Sequence, residues 1–298
     1  MTATLQSMLP LPSADAATLA AWPLAALAFA LGACVGSFLN VCIHRLPEDE
    51  SVVRPGSRCP RCRRDIAWYD NVPIASWAWL RARCRACGEP IAARYPLVEA
   101  ATGTLAVLAL ARFGPGASAL VAFAFTAALL LITCIDLDHL FIPDEVSLPG
   151  IAVGLGVSLL PEGIGIVDAA LGALLGGGIL WLVAWSYERS TGTEGMGLGD
   201  VKLLAMIGAF LGWQAVPAVL VIASIAGSVA GALVVFSAPG RRAARRVAQR
   251  LGVRALGPYL RRAARRTAIP FGPFLALGAA LVLYVPALGL PWTPLAAG

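Results

Sequence analysis

Long apolar runs, separated by short polar segments, dominate the pattern of residues along the chain. Several runs are shorter than the roughly 20 residues that a helix needs to cross a bilayer. The stretch 201–236 is too long for one straight span, and the polar Gln214 and then Pro217 offer a place to break it. The pattern predicts an all-α polytopic membrane protein with about eight spans, at residues 18–43, 97–112, 118–135, 146–161, 168–187, 201–213, 216–236 and 270–288.

The amino-acid composition excludes a soluble globular protein. Of the 298 residues, 58% are hydrophobic and only 13% are charged, and the mean hydropathy is +0.77. A soluble domain of this size cannot hide so much apolar surface. Residues 1–17 contain no basic residue, so they lack the charged start of a cleaved signal peptide. We therefore expect the first run to be retained as a span, with the N-terminus outside.

Basic residues are concentrated in two polar segments. Ten arginines lie in Arg45–Arg94 and ten more in Arg241–Arg266, out of 23 lysines and arginines. Such clusters are typical of cytoplasmic loops. Because apolar runs flank both of them, we favour this interpretation over nucleic-acid binding. Threading the spans from an outside N-terminus places both clusters inside, and it also places Asp136 and Asp200 on the cytoplasmic face.

The polar and apolar segments divide the chain into three predicted parts. Residues 1–44 form an N-terminal tail and the first span, 45–95 a cytosolic module rich in Arg, Cys, Pro and Trp, and 96–298 the remaining spans. The last part contains an Arg-rich insert at 238–267, in which the pattern Arg-Arg-Ala-Ala-Arg-Arg occurs twice. This pattern predicts either an amphipathic helix lying on anionic lipid headgroups or a solvated charged loop.

Four of the seven cysteines form two C-x-x-C pairs in the polar module. Cys59 and Cys62 are separated by 21 residues from Cys84 and Cys87. Paired motifs of this spacing supply four thiolates for a tetrahedral zinc ion, and four protein ligands leave no open position for catalysis. We therefore predict a structural zinc site, which would stabilise a segment with too little core to fold alone. The remaining cysteines, expected to be packing residues, are Cys34, Cys42 and Cys134.

Two aspartates lie where apolar runs meet polar segments. Asp136 closes the run 118–135, and Asp200 follows the glycine-rich turn Gly195–Gly199 at the start of another run. A carboxyl group at such a place is costly to desolvate. Two carboxyl groups on one face could share a proton, so that one activates water and the other polarises a scissile carbonyl. A helix N-cap explains Asp200 equally well from the sequence alone.

Other polar residues near these aspartates have simpler explanations. Lys202 is expected at the membrane interface, although its charge could also act on Asp200. Asp144 follows a proline and is expected to cap the next helix. A solvated loop, rather than a metal site, is the favoured interpretation of Asp138, His139, Asp144 and Glu145.

The motifs of the chain match one family in order and over nearly the whole length. The matching stretches are Gly36–Val41, Arg45–Pro47, Cys59–Cys62, Trp68–Pro73, Arg83–Gly88, Arg94–Glu99, Ile135–Asp136, Ile142–Asp144, Glu194–Lys202 and Pro270–Leu275. In these stretches the chain resembles the bacterial type IV prepilin peptidases. Members of that family are bifunctional leader peptidases and N-methyltransferases that serve type IV pilins and type II secretion pseudopilins.

The resemblance implies roles for particular residues. It implies that Asp136 and Asp200 are the catalytic pair of a membrane aspartyl protease of the G-x-G-D type, and that the four paired cysteines bind zinc. It also implies leader-peptide cleavage after a glycine, on the cytoplasmic side of the inner membrane. Methylation of the new N-terminal residue would use S-adenosylmethionine as donor. The sequence contains no glycine-rich nucleotide loop of the soluble type, so the residues that bind this donor are not identified.

Two other functions fit parts of the pattern. A peptidase without methylation, like the preflagellin-processing relatives that share the G-x-G-D motif, is disfavoured because those relatives lack a zinc module. A transporter could use Asp136 and Asp200 as ion sites, but most transporters contain an internal repeat and we find none. We therefore predict an enzyme that acts on prepilins, contacts membrane lipids and has no nucleic-acid partner.

Overall fold

The computed structural model of the chain describes residues 16–192, 197–236 and 270–285. These residues form helices, turns and two isolated β-bridges, without a β-strand. Two short 3-10 helices, Leu46–Glu48 and Trp68–Asn71, lie in the polar module. The α-helices of the described residues are α1 (Ala16–Arg45), α2 (Ala75–Trp79), α3 (Arg94–Phe113), α4 (Ala117–His139), α5 (Asp144–Val157), α6 (Ile166–Thr191), α7 (Leu198–Leu211), α8 (Ala215–Phe236) and α9 (Gly272–Tyr284).

Each predicted apolar run corresponds to one of these helices, and α2 is an additional short helix in the polar module. Five of them, α1, α3, α4, α6 and α8, are long and apolar enough to cross a membrane. The helices α5, α7 and α9 have 14, 14 and 13 residues, which gives each a length of only about 20 Å at 1.5 Å per residue. The all-α membrane class is therefore confirmed, whereas the number of helices that cross the bilayer stays a prediction.

The described residues belong to two compact units. Of the described residues, the first unit contains those up to Val41 together with Pro55–Pro115, and the second contains Cys42–Arg54 and those from Gly116 onward. The three-part division of the chain at residues 44 and 95 stays a prediction.

In the first unit, α1 and α3 pack through small residues. A Cβ atom at Gly32 would lie 2.7 Å from the Cβ atom of Ala106, and one at Gly103 would lie 2.9 Å from the carbonyl oxygen of Phe29. Distances this short leave no space for a side chain on either glycine. Small residues of this kind allow the backbones of two membrane helices to approach closely.

In the second unit, α7 is the buried central helix. It packs against α5, α6, α8 and α9, and the side chains of Leu203, Leu204 and Ile207 are fully buried. Its contact with α6 is close because neither Gly172 nor Gly208 has room for a Cβ atom. A short helix that is apolar on every side is stable only when other helices surround it. Residues in the first turn of α7 are therefore anchored to a buried core.

Candidate functional site

Asp136 lies in the last turn of α4, and only 5% of the residue is exposed. The helix continues to His139, past the end of the predicted run at residue 135. It ends where Leu140 adopts a left-handed conformation (φ 56°, ψ 38°) and donates its N–H to the carbonyl oxygen of Asp136 at 3.0 Å. A residue other than glycine rarely adopts this conformation. Asp136 is therefore a helical residue with a buried side chain, not the first residue of a loop.

The N-terminus of α9 supplies a hydrogen-bond donor to Asp136. The backbone N–H of Gly272 donates to Oδ2 of Asp136 at 3.0 Å. This N–H belongs to the first turn of a helix, where backbone donors lack partners within the helix and the positive end of the helix dipole favours a carboxylate. A Cβ atom at Gly272 would lie 2.5 Å from the same Oδ2. Only glycine at this position leaves space for the carboxyl group of Asp136.

Asp200 is the third residue of α7 and is partly buried. The N-cap position of the helix is Gly197, and no side chain forms a cap hydrogen bond there. The alternative explanation of Asp200 as a helix cap is therefore wrong. Asp136 and Asp200 lie close enough to each other that a negative charge on one carboxyl group disfavours a negative charge on the other.

Ile142 connects the surroundings of the two aspartates. Its side chain is 7% exposed. A Cβ atom at Gly199 would lie 3.0 Å from the Cβ atom of Ile142, and a Cβ atom at Gly272 would lie 3.3 Å from its Cδ1 atom. The glycine before Asp200 and the glycine that donates to Asp136 therefore pack on the same isoleucine, which sets the spacing between α7 and α9 at this end.

Lys202 forms an ion pair with Asp144. Its Nζ atom donates to Oδ1 of Asp144 at 2.7 Å and to Oδ2 at 2.8 Å. Asp144 is the first residue of α5, and the N-cap position is Pro143, without a side-chain cap bond. The predicted cap role of Asp144 is therefore wrong, because its carboxylate binds the ammonium group of Lys202 instead. The pair links the starts of α5 and α7.

The remaining polar residues of this region are exposed, as the solvated-loop interpretation predicts. Asp138, His139 and Glu145 all have exposed side chains, although Asp138 and His139 belong to the end of α4 and not to a loop. Within the described ranges, the one group of side chains arranged to hold a metal ion is elsewhere, in the polar module. The carboxylates near Asp136 and Asp200 do not form such a group.

That group consists of Cys59, Cys62, Cys84 and Cys87. Their Sγ atoms all lie within 4.8 Å of one another, and the Sγ atoms of Cys59 and Cys87 are 3.8 Å apart. A tetrahedral zinc site with bonds of about 2.3 Å requires sulfur atoms about 3.8 Å apart. The structure therefore brings together the four cysteines that the spacing predicted, at a separation that fits zinc.

The two C-x-x-C motifs adopt the same local structure. In the first, Cys59 N–H donates to the carbonyl oxygen of Arg64 and Arg63 N–H to that of Cys59. The second repeats both bonds at equivalent positions, from Cys84 N–H to Glu89 and from Gly88 N–H to Cys84. The residue after the second cysteine has a positive φ in both turns, 57° at Arg63 and 71° at Gly88. Each motif is therefore a tight turn that presents two thiols on one side.

The polar module has almost no hydrophobic core. Between residues 45 and 95, Cys59 is the one residue that is buried, and Trp68 and Trp79 are 82% and 84% exposed. Backbone N–H groups of Cys87 and Ala86 lower the pKa of Cys84 to about 7, whereas desolvation and hydrogen bonds with the neighbouring thiols raise the pKa of Cys87 to about 12, so Cys84 is the thiol of this pair that ionises first. Because apolar burial contributes so little here, ligand bonds to a metal are the main available source of stability.

A salt bridge adds a further link within the module. Arg85, between the cysteines of the second motif, donates from Nε and Nη2 to the two carboxylate oxygens of Asp70 at 2.8 and 2.6 Å. These hydrogen bonds lower the pKa of Asp70 below its usual value. The pair fastens the 3-10 helix Trp68–Asn71 to the second C-x-x-C motif. Asp70 lies in the matching stretch Trp68–Pro73, but no role for its side chain followed from the sequence. The structure identifies Arg85 as its partner.

Two parts of the predicted site lie outside the described residues. They are the start of the glycine-rich turn, including Gly195 and Met196, and the Arg-rich insert at 238–267. The described part of the turn begins at Gly197.

The fold and these clusters define the class of the protein. It is a helical membrane protein with two carboxyl groups near the ends of packed helices and a module that contains four clustered cysteines. Residues 30–113 match the family model described as the bacterial peptidase A24 N-terminal domain, and residues 123–232 match the type IV leader peptidase family. The chain belongs to the type IV leader peptidase family.

Curated relatives agree with this assignment. A protein of Aeromonas hydrophila named prepilin leader peptidase/N-methyltransferase is 38% identical over 286 residues, which cover 88% of this chain and 91% of the relative. Proteins with the same name occur in Burkholderia pseudomallei strain 1026b (40% identity, 87% of this chain and 84% of the relative) and in Myxococcus xanthus strain DK1622 (45%, 70% and 62%). No solved structure matches the chain.

Sequence reasoning missed the residues that surround the two aspartates. Gly272 and Ile142 lie in matching motifs, but no role followed from their side chains, because a glycine and an isoleucine carry no reactive group. A glycine directly before a proline at the start of a predicted helix, as in Gly272-Pro273, was the available signal. The contact of Gly272 with Asp136 joins residues 136 positions apart, and only the packing of α9 reveals it.

Proposed function

We propose that this chain is a membrane aspartyl endopeptidase that removes the leader peptide of type IV prepilins or pseudopilins after a glycine and then methylates the new N-terminus. The observation that carries the peptidase proposal is the approach of Asp136 and Asp200, together with the backbone N–H that Gly272 donates to Asp136. Two carboxyl groups within electrostatic range favour a state in which only one of them is ionised. This is the state that an aspartyl hydrolase requires.

The surroundings of the two aspartates favour a division of roles. A hydrogen bond from a backbone N–H stabilises the ionised form of a carboxyl group, so Asp136 is the general base and Asp200 the protonated acid. Asp136 takes a proton from water as the water oxygen attacks the scissile carbonyl carbon. Asp200 donates a hydrogen bond to the carbonyl oxygen. The C–N bond then breaks as Asp136 gives the proton that it took from water to the leaving nitrogen, and the resulting amine is the N-terminus of the mature pilin.

The cysteine cluster supports the second half of the proposal. Cys59, Cys62, Cys84 and Cys87 would hold a structural zinc ion and keep the module folded. S-adenosylmethionine, when bound, supplies the methyl group that the new N-terminal amine accepts. The methyltransferase activity comes to this chain from the names of its relatives, and no residue is assigned to the methyl donor.

The proposed setting of the enzyme is the inner membrane. Five apolar helices are long enough to cross a membrane, and the arginines of the segment between α1 and α3 favour a cytoplasmic location of the cysteine module. The N-terminus would then lie outside, and Asp136 and Asp200 would act on the cytoplasmic side. The proposed partners are prepilin substrates and membrane lipids, with no nucleic acid.

The test is incubation of the full-length protein in lipid with a prepilin and S-adenosylmethionine, followed by mass spectrometry of the product's N-terminus. We expect cleavage after glycine and the addition of a methyl group. Asp136→Asn or Asp200→Asn should lower the cleavage rate by about 10²- to 10⁴-fold, because each removes one partner of the acid–base pair.

The matched control is Asp138→Asn, which changes an exposed aspartate on the same helix as Asp136 and should leave cleavage unchanged. Wild-type cleavage rates in either Asp136→Asn or Asp200→Asn would contradict the proposed pair. A product that is cleaved but never methylated would instead indicate a peptidase without the transferase activity.

A further inference from the structure

Glu99 is a buried carboxyl group in the first unit that the proposed chemistry does not use. It lies on α3 and is 8% exposed. A Cβ atom at Gly36 of α1 would lie 2.7 Å from the Cα atom of Glu99 and 2.9 Å from Oγ1 of Thr102. The backbone of α1 therefore packs directly against the backbone of α3 at Glu99.

The partners of Glu99 are neutral hydrogen-bond donors. Its Oε2 atom accepts the backbone N–H of Ile74 at 2.7 Å, and Ser37 of α1 forms a second hydrogen bond to the carboxyl group. Among the described residues, no lysine or arginine forms a salt bridge with Glu99. A buried acidic side chain without a cation is costly, so these two hydrogen bonds are the features that account for its position.

The residue that donates to Glu99 has a strained backbone. Ile74 has φ 60° and ψ −50°, and the N–H of Ala75 reaches back to the carbonyl oxygen of Pro73 at 2.5 Å. These values describe a γ-turn centred on a β-branched residue, a combination that is rare because the side chain crowds the backbone. Such a conformation persists only where surrounding contacts impose it, and the bond from Ile74 to Glu99 is such a contact.

The position of the strained turn allows it to set the direction of α2 within the module. Ile74 is located between the two C-x-x-C motifs and directly precedes α2. Trp77 of α2 donates its Nε1–H to the carbonyl oxygen of Ile91 at 3.1 Å, a few residues after the second motif. The direction of α2, and with it the segment that follows the second pair of cysteines, therefore depends on the turn at Ile74.

We infer that Glu99 is a positioning residue for the methyltransferase activity, because its carboxyl group holds the γ-turn at Ile74 and so fixes the cysteine module on α1 and α3. This inference rests on the proposed function for the methyl-transfer reaction itself. Glu99 acts through the backbone of Ile74 and does not need to contact the methyl donor or the amine. Asp136 and Asp200 belong to the other unit, so we expect cleavage to be unchanged when this contact is lost.

The test compares Glu99→Ala with Glu99→Gln in the full-length protein. Glu99→Ala should lower the kcat of methyl transfer about tenfold or more, the effect of losing one hydrogen bond to a charged group, with cleavage and zinc content unchanged. Glu99→Gln should restore most of the activity, because the carboxamide oxygen also accepts the N–H of Ile74. Thr104→Ala, at an exposed position of the same helix, is the matched control.

A second variant tests the role of backbone strain. Glycine adopts a positive φ without strain, so adding Ile74→Gly to Glu99→Ala should recover part of the lost methyl transfer. If Glu99 were instead the base that deprotonates the amine, Glu99→Gln would be as inactive as Glu99→Ala and Ile74→Gly would recover nothing, and either result would overturn the inference. Methylation by Glu99→Ala at the wild-type rate would also overturn the inference.

The outcomes for the wild-type protein separate this inference from the proposed function. If the wild-type protein cleaves prepilin but never methylates it, the proposed transferase activity has failed. The role of Glu99 is then judged by proteolysis alone, since Glu99→Ala should still make the segment around Ile74 more accessible to protease than Glu99→Gln does. Equal protease resistance in the two variants would overturn the inference independently of any methylation.

Discussion

The cysteine cluster and the aspartate site are built in different ways. The cluster is formed by two short segments, Arg58–Asp65 and Arg83–Pro90, and each segment is closed by its own β-bridge. The aspartate site combines residues 136, 200 and 272 from three helices. Each C-x-x-C turn is held by backbone hydrogen bonds between residues no more than five positions apart. The aspartate site is held by packing in which glycines leave no space for a side chain. A local turn can position a thiol without a hydrophobic core, whereas a carboxyl group buried between helices is positioned only by the core that those helices form.

This difference predicts different ways in which each region fails. The cysteine module lacks a core, so removal of its metal ligands should unfold it while the long apolar helices stay folded. The aspartate site is surrounded by buried helices, so a small change in volume should displace a carboxyl group without unfolding anything.

The largest effect is expected for Cys84→Ser or for removal of metal by a chelator. Structural zinc sites contribute on the order of 10 kcal/mol to folding, more than the exposed module could replace. Residues 45–95 should become sensitive to protease and methylation should stop, whereas cleavage by the second unit should continue. Zinc analysis and limited proteolysis measure this. Cys34→Ser, at an exposed cysteine of α1, is the control, and a protected module in metal-free protein would refute the prediction.

The next effect concerns the space around Asp136. Gly272→Ala places a methyl group where Oδ2 of Asp136 now lies, since the two atoms would be 2.5 Å apart. A displacement of a catalytic group by about 1 Å can lower a rate by about a hundredfold, and we expect a loss of cleavage of this size with normal membrane insertion. Gly178→Ala on α6, where no atom lies within 4 Å of the added carbon, should retain full activity.

If Gly272→Ala cleaved prepilin at the wild-type rate, the tight packing of α9 against Asp136 would have no role in the reaction. Unfolding of Gly272→Ala would be visible as loss of the purified protein, and a prepilin-binding measurement then distinguishes a folded, inactive enzyme from a damaged one.

The smallest effect is expected for the ion pair between Lys202 and Asp144. The two side chains are 31% and 52% exposed, and partly exposed ion pairs contribute less than about 1 kcal/mol. Lys202→Met should therefore lower cleavage by no more than about fivefold, through looser packing of α7 on α5. Glu145→Gln changes an exposed neighbour and is the control. A loss as large as that of Asp200→Asn would mean that Lys202 acts directly on the reaction.

The cysteine cluster could be predicted from the sequence more fully than the aspartate site, for the same reason. The spacing of Cys59, Cys62, Cys84 and Cys87 was enough to predict the cluster, because the C-x-x-C turn is a local structure. For the aspartates, the sequence indicated Asp136 and Asp200 but left open whether Asp200 caps a helix. The structure resolved that question through Gly197, the N-cap residue without a side-chain bond.

The sequence by itself determined the class of the protein, since apolar runs, charge clusters and cysteine spacing are local properties of the chain. It also determined the position of each helix that forms from an apolar run to within a few residues, with α4 extending past its predicted end to His139, but it did not predict the short α2 in the polar module. Only the tertiary structure decided the contacts of Gly272 with Asp136, of Lys202 with Asp144 and of Glu99 with Ile74. Apolar helices can pack against one another in many ways, and the choice among them depends on where glycines permit close approach between segments distant in the chain.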